Sequence, residues 1–189
     1  PHLLSYVVVS YIAYAFLGAE NGMINNQILR PLGLDPIPFY TEDKYWPFIL
    51  VFVNIWKTFG YSSIIYFASI IGIDRTYYEA AEVDGASAWT QIWSITLPLL
   101  KPVLITMLLL SVGRILYSDF GLFYQVPMDS GMLFNTTNTI DTFVYRGLLQ
   151  TNDLGRAAAA NFIQSVMGFF LVLGANLIVR KVEKEYALF

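Results

Sequence analysis

The sequence lacks cysteine altogether and has a single histidine, His2, among its 189 residues. Without cysteine, the chain can form neither a disulfide framework nor a thiolate metal site. A lone histidine at the extreme start of a chain is more often incidental than a metal ligand. We therefore predict no metal ligands and no cofactor-binding residues.

Charge is also scarce. Charged residues make up 13% of the chain and hydrophobic residues 56%, whereas about a quarter of the residues in a soluble domain are charged. The formal net charge of -3 leaves no broad basic surface for nucleic acid, because phosphate contacts need clustered Lys and Arg. The composition indicates a membrane protein and excludes nucleic acid as its partner.

Four apolar segments are long enough, or nearly so, to cross a membrane, which takes about 20 residues. They cover Leu3–Gly18, Trp46–Gly72, Pro98–Tyr117 and Ala157–Val179, of which the first is slightly short. The segments between them at 19–45 and 118–156 are rich in turn residues and are predicted to be loops, each with room for a short helix. We predict one all-α transmembrane helical bundle over residues 1–189.

The polar segment between the second and third spans, at about 74–97, has helix signals of its own. Thr76 and Glu79 have the spacing of a capping box, which predicts a helix from Tyr77 to Asp84. Gly85 tolerates a positive φ and can break the backbone there. A second short helix is then expected over Ala86–Ser94, with Pro98 opening the next span.

This segment resembles the EAA motif of ABC importer permeases. It contains Glu79-Ala80-Ala81, three residues, Gly85, nine residues and then Ile95-x-Leu97-Pro98. Other stretches resemble the permeases for complex carbohydrates, which are related to the maltose permease. They are Pro1-His2, Asn21-Gly22-Met23-Ile24-Asn25, Ile55-Trp56-Lys57, Ser63-Ile64-Ile65-Tyr66, Ile140-Asp141-Thr142-Phe143-Val144-Tyr145-Arg146 and Leu188-Phe189.

The resemblance implies the type I ABC importer permease fold, which usually has six core helices. Only four are visible, and the chain begins with Pro1 rather than methionine and without a signal peptide pattern. We therefore expect an N-terminally truncated sequence that lacks about two helices. The resemblance also implies a multi-pass protein of the bacterial cytoplasmic membrane, surrounded by lipid.

Several partners are implied as well: ATP-binding cassette ATPase subunits, a second and non-identical permease subunit, an extracytoplasmic solute-binding protein and a carbohydrate substrate. ATP would be bound by the partner, so no cofactor is expected here. The implied ATPase-coupling residues are Glu79, Ala80, Ala81, Asp84, Gly85, Ala86, Ile95, Leu97 and Pro98. Glu79 would be a charge contact and Gly85 the bend. The alternative, a helix lying on the membrane, is disfavoured because its apolar positions are small alanines and its charges are acidic.

The maltose-type resemblance places substrate contacts on the helices before and after the coupling loop, near Thr58 and Tyr61 and near Tyr117 and Asp119. Arg114 is an ionisable residue within an apolar span, so it is a functional hypothesis by default. It either pairs with Asp119 or binds an acidic sugar, and both alternatives stay open.

Three further polar residues of the spans are interpreted as structural. For Lys57, a structural contact is favoured over a substrate contact. Asn161 and Gln164 lie one helical turn apart, and bonding between helices is their favoured role.

A membrane enzyme is the rival interpretation. The sequence has no G-x-x-x-x-G-K-[ST] loop, no H-E-x-x-H zinc motif and no G-x-S-x-G elbow. We therefore predict that the chain is not an enzyme and has no catalytic residues.

Overall fold

The computed structural model describes residues 1–151 and 154–182. The described chain is helical and contains no β-strand. Leu188 and Phe189, which contributed to the resemblance, lie outside the described residues. The α-helices are α1 (Tyr6–Leu17), α2 (Trp46–Ile71), α3 (Arg75–Val83), α4 (Ala88–Gln91), α5 (Leu97–Gly113), α6 (Phe134–Thr137), α7 (Ile140–Thr151) and α8 (Leu154–Val182). The loops carry π-helical turns at Ile24–Leu29 and Gly121–Gln125 and 3₁₀ turns at Arg30–Leu32, Asp43–Tyr45 and Gly131–Leu133.

Three helices of the described chain are long and apolar enough to cross a membrane: Asp43–Ile71, Ala88–Gly113 and Leu154–Lys181. The predicted first span is shorter than expected, because α1 has only 12 residues and thus rises about 18 Å of the 30 Å hydrocarbon core. It begins at Tyr6, where the Ser5 side chain accepts a hydrogen bond from the Val8 backbone N–H. The prediction of four long spans is therefore corrected to three long helices and one shorter apolar helix.

The boundaries of two other predicted spans also shift. The third was expected to reach Tyr117, but α5 ends at Gly113. At its end, the N–H groups of Arg114 and Ile115 donate to the carbonyls of Ser111 and Val112, three residues earlier, which tightens the last turn. At the other end of the chain, α8 begins at Leu154 and is longer than the predicted segment.

The contacts of the chain divide it into two compact units. Unit 1 consists of residues 1–59 and 117–164, and unit 2 of residues 60–116 with the described residues from Ser165 onward. The interpretation as a single membrane domain stays a prediction.

The core of unit 1 is built around Trp46. Its ring is fully buried, and its indole N–H donates to the carbonyl of Phe39 at 2.6 Å. The fully buried Asn25 fixes the loop beside it, since its amide donates to the Ile37 carbonyl and accepts from the Ile37 N–H, both at 2.9 Å. Burying an amide is costly unless its polar atoms are paired. The loop before α2 is therefore an ordered part of the core.

Glycines bring two helices of unit 2 into close contact. A Cβ atom on Gly168 of α8 would lie 3.0 Å from the carbonyl oxygen of Gly113 of α5, and a Cβ on Gly113 would lie 2.8 Å from Val172 Cγ2. Small residues at a crossing let membrane helices approach closely. This contact holds the end of α5 against α8.

The surface of the described helices is strongly apolar. Phe48 and Phe52 on α2 are 77% and 70% exposed, and Phe162 and Phe170 on α8 are 69% and 65% exposed. Soluble monomers rarely expose apolar patches of such extent. Lipid or other protein helices therefore have to cover these faces.

Candidate coupling loop and substrate path

The helix of the predicted coupling loop begins two residues earlier than the sequence suggested. Asp74 caps α3: its Oδ1 accepts hydrogen bonds from the Thr76 backbone N–H at 2.9 Å and from the Thr76 hydroxyl at 2.8 Å. The predicted capping box is therefore wrong. Thr76 lies inside α3, and the Glu79 carboxylate is 3.8 Å from the Arg75 guanidinium. The same backbone and hydroxyl donors lower the pKa of the exposed Asp74, because they favour its charged form.

Gly85 forms the predicted bend. It has φ of +74°, in the left-handed region that glycine adopts without steric cost. Its N–H donates to the Glu82 carbonyl at 3.0 Å, and the Ala86 N–H donates to the Ala81 carbonyl at 2.9 Å. These paired bonds satisfy the carbonyls at the end of α3. A Cβ on Gly85 would meet nothing within 4 Å, so the backbone angle, not packing, is what requires glycine.

The second helix of the loop does not end before the next span, contrary to the prediction. Ser87 caps it by accepting from the Thr90 N–H at 3.3 Å, and the helix then runs without a break from Ala88 to Gly113. Residues Ile92–Thr96 form a wide π turn just before Pro98. Because a proline ring clashes with the carbonyl four residues earlier, this turn lets the helix continue through Pro98.

A side-chain contact joins α3 to this long helix. The Tyr78 hydroxyl and the Thr96 hydroxyl are 2.9 Å apart. They connect the middle of α3 with the π turn, 18 residues further on. Together with the turn at Gly85, this contact gives the loop a fixed shape within unit 2.

The outer surface of the loop combines acidic and apolar side chains. Glu79, Ala80, Asp84, Gly85 and Pro98 are exposed, whereas Ala81, Ala86, Ile95 and Leu97 are half-buried. We define the coupling surface as these predicted residues together with three exposed apolar side chains: Val83 (89% exposed), Trp89 (71%) and Trp93 (66%). The sequence prediction missed these three. The sequence feature that could have identified them is the presence of large apolar residues within an otherwise polar loop.

The five predicted substrate residues fall in both units. In unit 1, the Thr58 hydroxyl donates to the Asn54 carbonyl at 2.7 Å, Tyr117 is 40% exposed, and Asp119 is exposed. In unit 2, Tyr61 is 53% exposed. Arg114 is exposed and takes the C-cap position after α5. Arg114 and Asp119 therefore do not lie on one continuous helix.

Asp119 takes part in a polar network that sequence reasoning did not find. Tyr6 donates its phenol O–H to Asp119 Oδ2 at 2.7 Å, and the Leu122 N–H donates to Asp119 Oδ1 at 3.3 Å. The ammonium of Lys57 lies 4.7 Å from the centroid of the Tyr6 ring. Lys57, which is 6% exposed, donates to the carbonyls of His2 and Leu4 at 2.9 and 2.6 Å. These contacts support the structural interpretation of Lys57.

A second polar cluster surrounds the start of α7. Asp141 Oδ2 accepts from both the N–H and the hydroxyl of Ser118, each at 2.7 Å. Gln164, which is 2% exposed, donates to Asp141 Oδ1 at 3.4 Å. This bond joins α8 to α7 and supports the predicted role of Gln164 between helices. The same role for Asn161, which is exposed, stays a prediction.

Arg146 stabilises the loop before α7 through two hydrogen bonds and a contact with an aromatic ring. Its Nε donates to Asp129 Oδ1 and its Nη1 to Asn138 Oδ1, both at 2.7 Å. Its guanidinium carbon lies 3.9 Å from the centroid of the Phe134 ring. Met128 and Asp129 have φ of 54° and 48°, a conformation that non-glycine residues rarely adopt. From the sequence alone, Arg146 stood out only as part of the stretch that resembles the carbohydrate permeases, and its contacts were not predicted.

Comparison with known proteins assigns the family. The family described as "Binding-protein-dependent transport system inner membrane component" matches residues 3–184. The chain belongs to this family. It is thus an inner membrane component of a transport system, as the resemblance to ABC importer permeases predicted.

Two relatives and one solved structure show which members of the family the chain resembles. This permease chain is 32% identical over 190 residues to the Polygalacturonan/rhamnogalacturonan transport system permease protein YteP of Bacillus subtilis, covering 98% of this chain and 57% of that protein. It is 30% identical to Protein LplB of the same organism, covering 98% and 57%. The structure resembles the crystal structure of a bacterial alginate ABC transporter in complex with an alginate pentasaccharide-bound periplasmic protein. The TM-score is 0.87 and the identity 35%, with 97% of this chain and 63% of that one covered.

The permease chain thus spans about three fifths of the length of these relatives. The family match runs from residue 3 to residue 184, so it includes residues of both compact units. The predicted all-α fold of an ABC importer permease is confirmed by this match and by the structural similarity.

Proposed function

We propose that the chain forms the transmembrane core of the permease of an ABC importer, and that it carries an oligosaccharide across the bacterial cytoplasmic membrane. The observation that carries the proposal is the structure of the coupling loop. It combines a capped α3, the left-handed turn at Gly85 and a helix that continues from Ala88 directly into the span. A force applied to α3 would reach α5 through Tyr78 and Thr96. Such a rigid connection suits an element that transmits movement from a partner into the membrane.

The partner at this surface is an ATP-binding cassette ATPase subunit. Val83 and Trp89 are apolar side chains that water surrounds unless another surface covers them, and Glu79 and Asp84 beside them supply acidic contacts. We infer that ATP is bound and hydrolysed by that subunit, and that this chain catalyses no reaction. The other partners would be a second, non-identical permease and an extracytoplasmic binding protein.

Carbohydrate is the proposed substrate because of the relatives. YteP is named for polygalacturonan and rhamnogalacturonan, other relatives for arabinooligosaccharides and lactose, and the similar crystal structure contains an alginate pentasaccharide. These names include neutral and acidic sugars. An oligosaccharide is therefore the proposed class, taken up through a path to which Thr58, Tyr61, Arg114, Tyr117 and Asp119 contribute.

An acidic oligosaccharide is the second candidate. Arg114 is exposed after the end of α5, and its planar guanidinium can bind a carboxylate through two parallel hydrogen bonds. Uptake of matched neutral and acidic oligosaccharides by the complete importer with Arg114→Gln tests this idea. Selective loss of acidic uptake supports it, and equal loss or no loss for both contradicts it.

The proposed function is tested by purifying the full-length permease with its ATPase and measuring ATP hydrolysis stimulated by a sugar-loaded binding protein. Trp89→Ala should reduce ATPase co-purification. Phe162→Ala, which removes a similarly exposed aromatic side chain of 69% exposure from α8, is the matched control and should leave co-purification unchanged. Equal ATPase recovery in both variants, or stimulation only by binding proteins loaded with non-carbohydrate solutes, would contradict the proposal.

A further inference from the structure

The Tyr6 hydroxyl and the Asp119 carboxylate are 113 residues apart in sequence but only 2.7 Å apart in the fold. An ionised carboxylate can only accept hydrogen bonds, so the phenol must donate. Bonds of this charged kind are shorter and stronger than neutral ones. Tyr6 therefore fixes the direction in which one oxygen of Asp119 points.

The backbone fixes the other oxygen of the same carboxylate. Asp119 Oδ1 accepts from the Leu122 N–H at 3.3 Å, at the start of the turn Gly121–Gln125. A carboxylate has about four lone-pair sites, of which these two contacts use one on each oxygen. Because Asp119 is exposed, the remaining sites are open to hydroxyl donors from outside the chain.

The position of the Tyr6 ring depends on a glycine. A Cβ atom on Gly121 would overlap Tyr6 Cδ2 and would lie only 2.5 Å from Tyr6 Cγ. Real Cβ atoms do not approach other atoms so closely, so any larger residue at 121 would push the ring away. The glycine thus permits the contact between Tyr6 and the segment that carries Asp119.

Lys57 supports Tyr6 from another direction. Its ammonium lies 4.7 Å from the centroid of the Tyr6 ring, within the range of a cation–π interaction. It is anchored by the carbonyls of His2 and Leu4. The ring is therefore held by three contacts: a cation at its π system, a carboxylate at its hydroxyl and a glycine beside it.

We propose that Tyr6 is a positioning residue of the substrate path, holding the Asp119 carboxylate as an acceptor for the hydroxyl groups of a neutral sugar unit. This rests on the proposed carbohydrate transport. A fixed carboxylate accepts O–H groups, and it repels the carboxylate of a uronic acid through like charge. At this point of the path, the permease therefore favours a neutral unit over an acidic one.

The test uses the complete importer in proteoliposomes, with matched pairs of neutral and acidic oligosaccharides that differ only in CH₂OH against carboxylate at C6. Tyr6→Phe should lower neutral uptake at limiting substrate about tenfold, the effect of losing one charge-assisted hydrogen bond, and should leave acidic uptake unchanged or raised. The exposed Tyr11 of the same helix supplies the control, since Tyr11→Phe should change neither.

Double substitution separates positioning from general destabilisation. If Tyr6 acts through Asp119, then Tyr6→Phe in the Asp119→Asn background should cause little further change in the neutral-to-acidic ratio. Gly121→Ala should reproduce the effect of Tyr6→Phe while retaining both polar groups, whereas Gly174→Ala, at a glycine with open space around it, should not. Additive effects, or equal losses for both sugars, would overturn the proposal.

Uptake by the wild-type importer separates a failure of the Tyr6 proposal from a failure of the proposed carbohydrate transport. Wild-type uptake of oligosaccharide without any shift of selectivity in Tyr6→Phe and Gly121→Ala refutes the role of Tyr6 alone. If the wild-type protein transports no member of either panel, the proposed carbohydrate transport fails, and the role of Tyr6 fails with it.

Discussion

The N–H of Ala86 donates to the carbonyl of Ala81 over 2.9 Å, which closes α3 across the left-handed Gly85. The bend of the loop is thus determined by one backbone angle. Packing does not require glycine at this position, because a Cβ on Gly85 would meet nothing within 4 Å.

Gly85→Val should weaken ATPase association, because a β-branched residue pays about 1–2 kcal/mol to enter the left-handed region, whereas Gly85→Asn should retain more of it. Gly33 has φ of 72° and equally open surroundings, so Gly33→Val is the matched control and should leave ATPase recovery intact. Co-purification measures the outcome. Equal recovery for Val and Asn at position 85 would contradict the role of the angle.

The cap of α3 should depend on pH. Hydrogen bonds from Thr76 lower the pKa of Asp74 in the folded state, so the stabilisation is present above the unfolded pKa and is lost as the pH falls through the folded pKa. Hydrogen exchange of the amides in the first turn of α3 should therefore lose protection on acidification. Asp74→Asn should remove this dependence, while Glu82→Gln on the exposed side of the same helix should preserve it.

The sequence was sufficient to predict features that depend on local chemistry. The long apolar runs predicted α2 and α8 to within a few residues, and Gly85 predicted the bend. The cap was misplaced because Asp74 and Thr76 are both good capping residues, and only the backbone shows which one accepts. The unbroken helix through Pro98 was missed because a π turn relieves the clash that normally makes proline start a helix.

Contacts between distant segments could not be predicted from one sequence. Tyr6 and Asp119 are separated by 113 residues, and Lys57 and His2 by 55, so no periodicity or spacing relates them. The same holds for the role of Gly121, which is defined only by the ring that lies against it. These contacts belong to the tertiary fold, and they are concentrated around a predicted substrate residue.

Lys57→Met should destabilise the permease. The carbonyls of His2 and Leu4 would lose a charged donor, and each hydrogen bond to a charged group contributes about 1.5–3 kcal/mol. The midpoint of thermal unfolding in detergent should fall clearly, whereas Lys181→Met, at an exposed lysine near the end of α8, should change it little. An unchanged midpoint combined with lost transport would instead favour a substrate role for Lys57.

Arg146 and Asp129 should be energetically coupled. Their side chains form a 2.7 Å ion pair in which Arg146 is only 12% exposed, and the pair holds two residues with positive φ. In a double-mutant cycle with Arg146→Ala and Asp129→Ala, we expect a coupling energy of about 1–3 kcal/mol. Thermal unfolding supplies the measurement. Lys44 and Glu42, an exposed pair at 2.7 Å, serve as the comparison and should show a much weaker coupling, because solvent screens exposed ion pairs.

Gly168→Ala and Gly113→Ala should both destabilise the crossing of α5 and α8, but only one of the two losses should be reversible by a second substitution. Gly168→Ala places a Cβ 3.0 Å from a backbone oxygen of Gly113, whereas Gly113→Ala places one 2.8 Å from the side chain of Val172. The second contact is shorter, but it involves a side chain that a further substitution can shorten. The first contact involves a backbone oxygen that no substitution removes. Val172→Ala should therefore restore the thermal stability lost in Gly113→Ala and should not restore that lost in Gly168→Ala. Rescue of both variants, or of neither, would show that Val172 and the Gly113 carbonyl are not the separate obstacles that the structure places at this crossing.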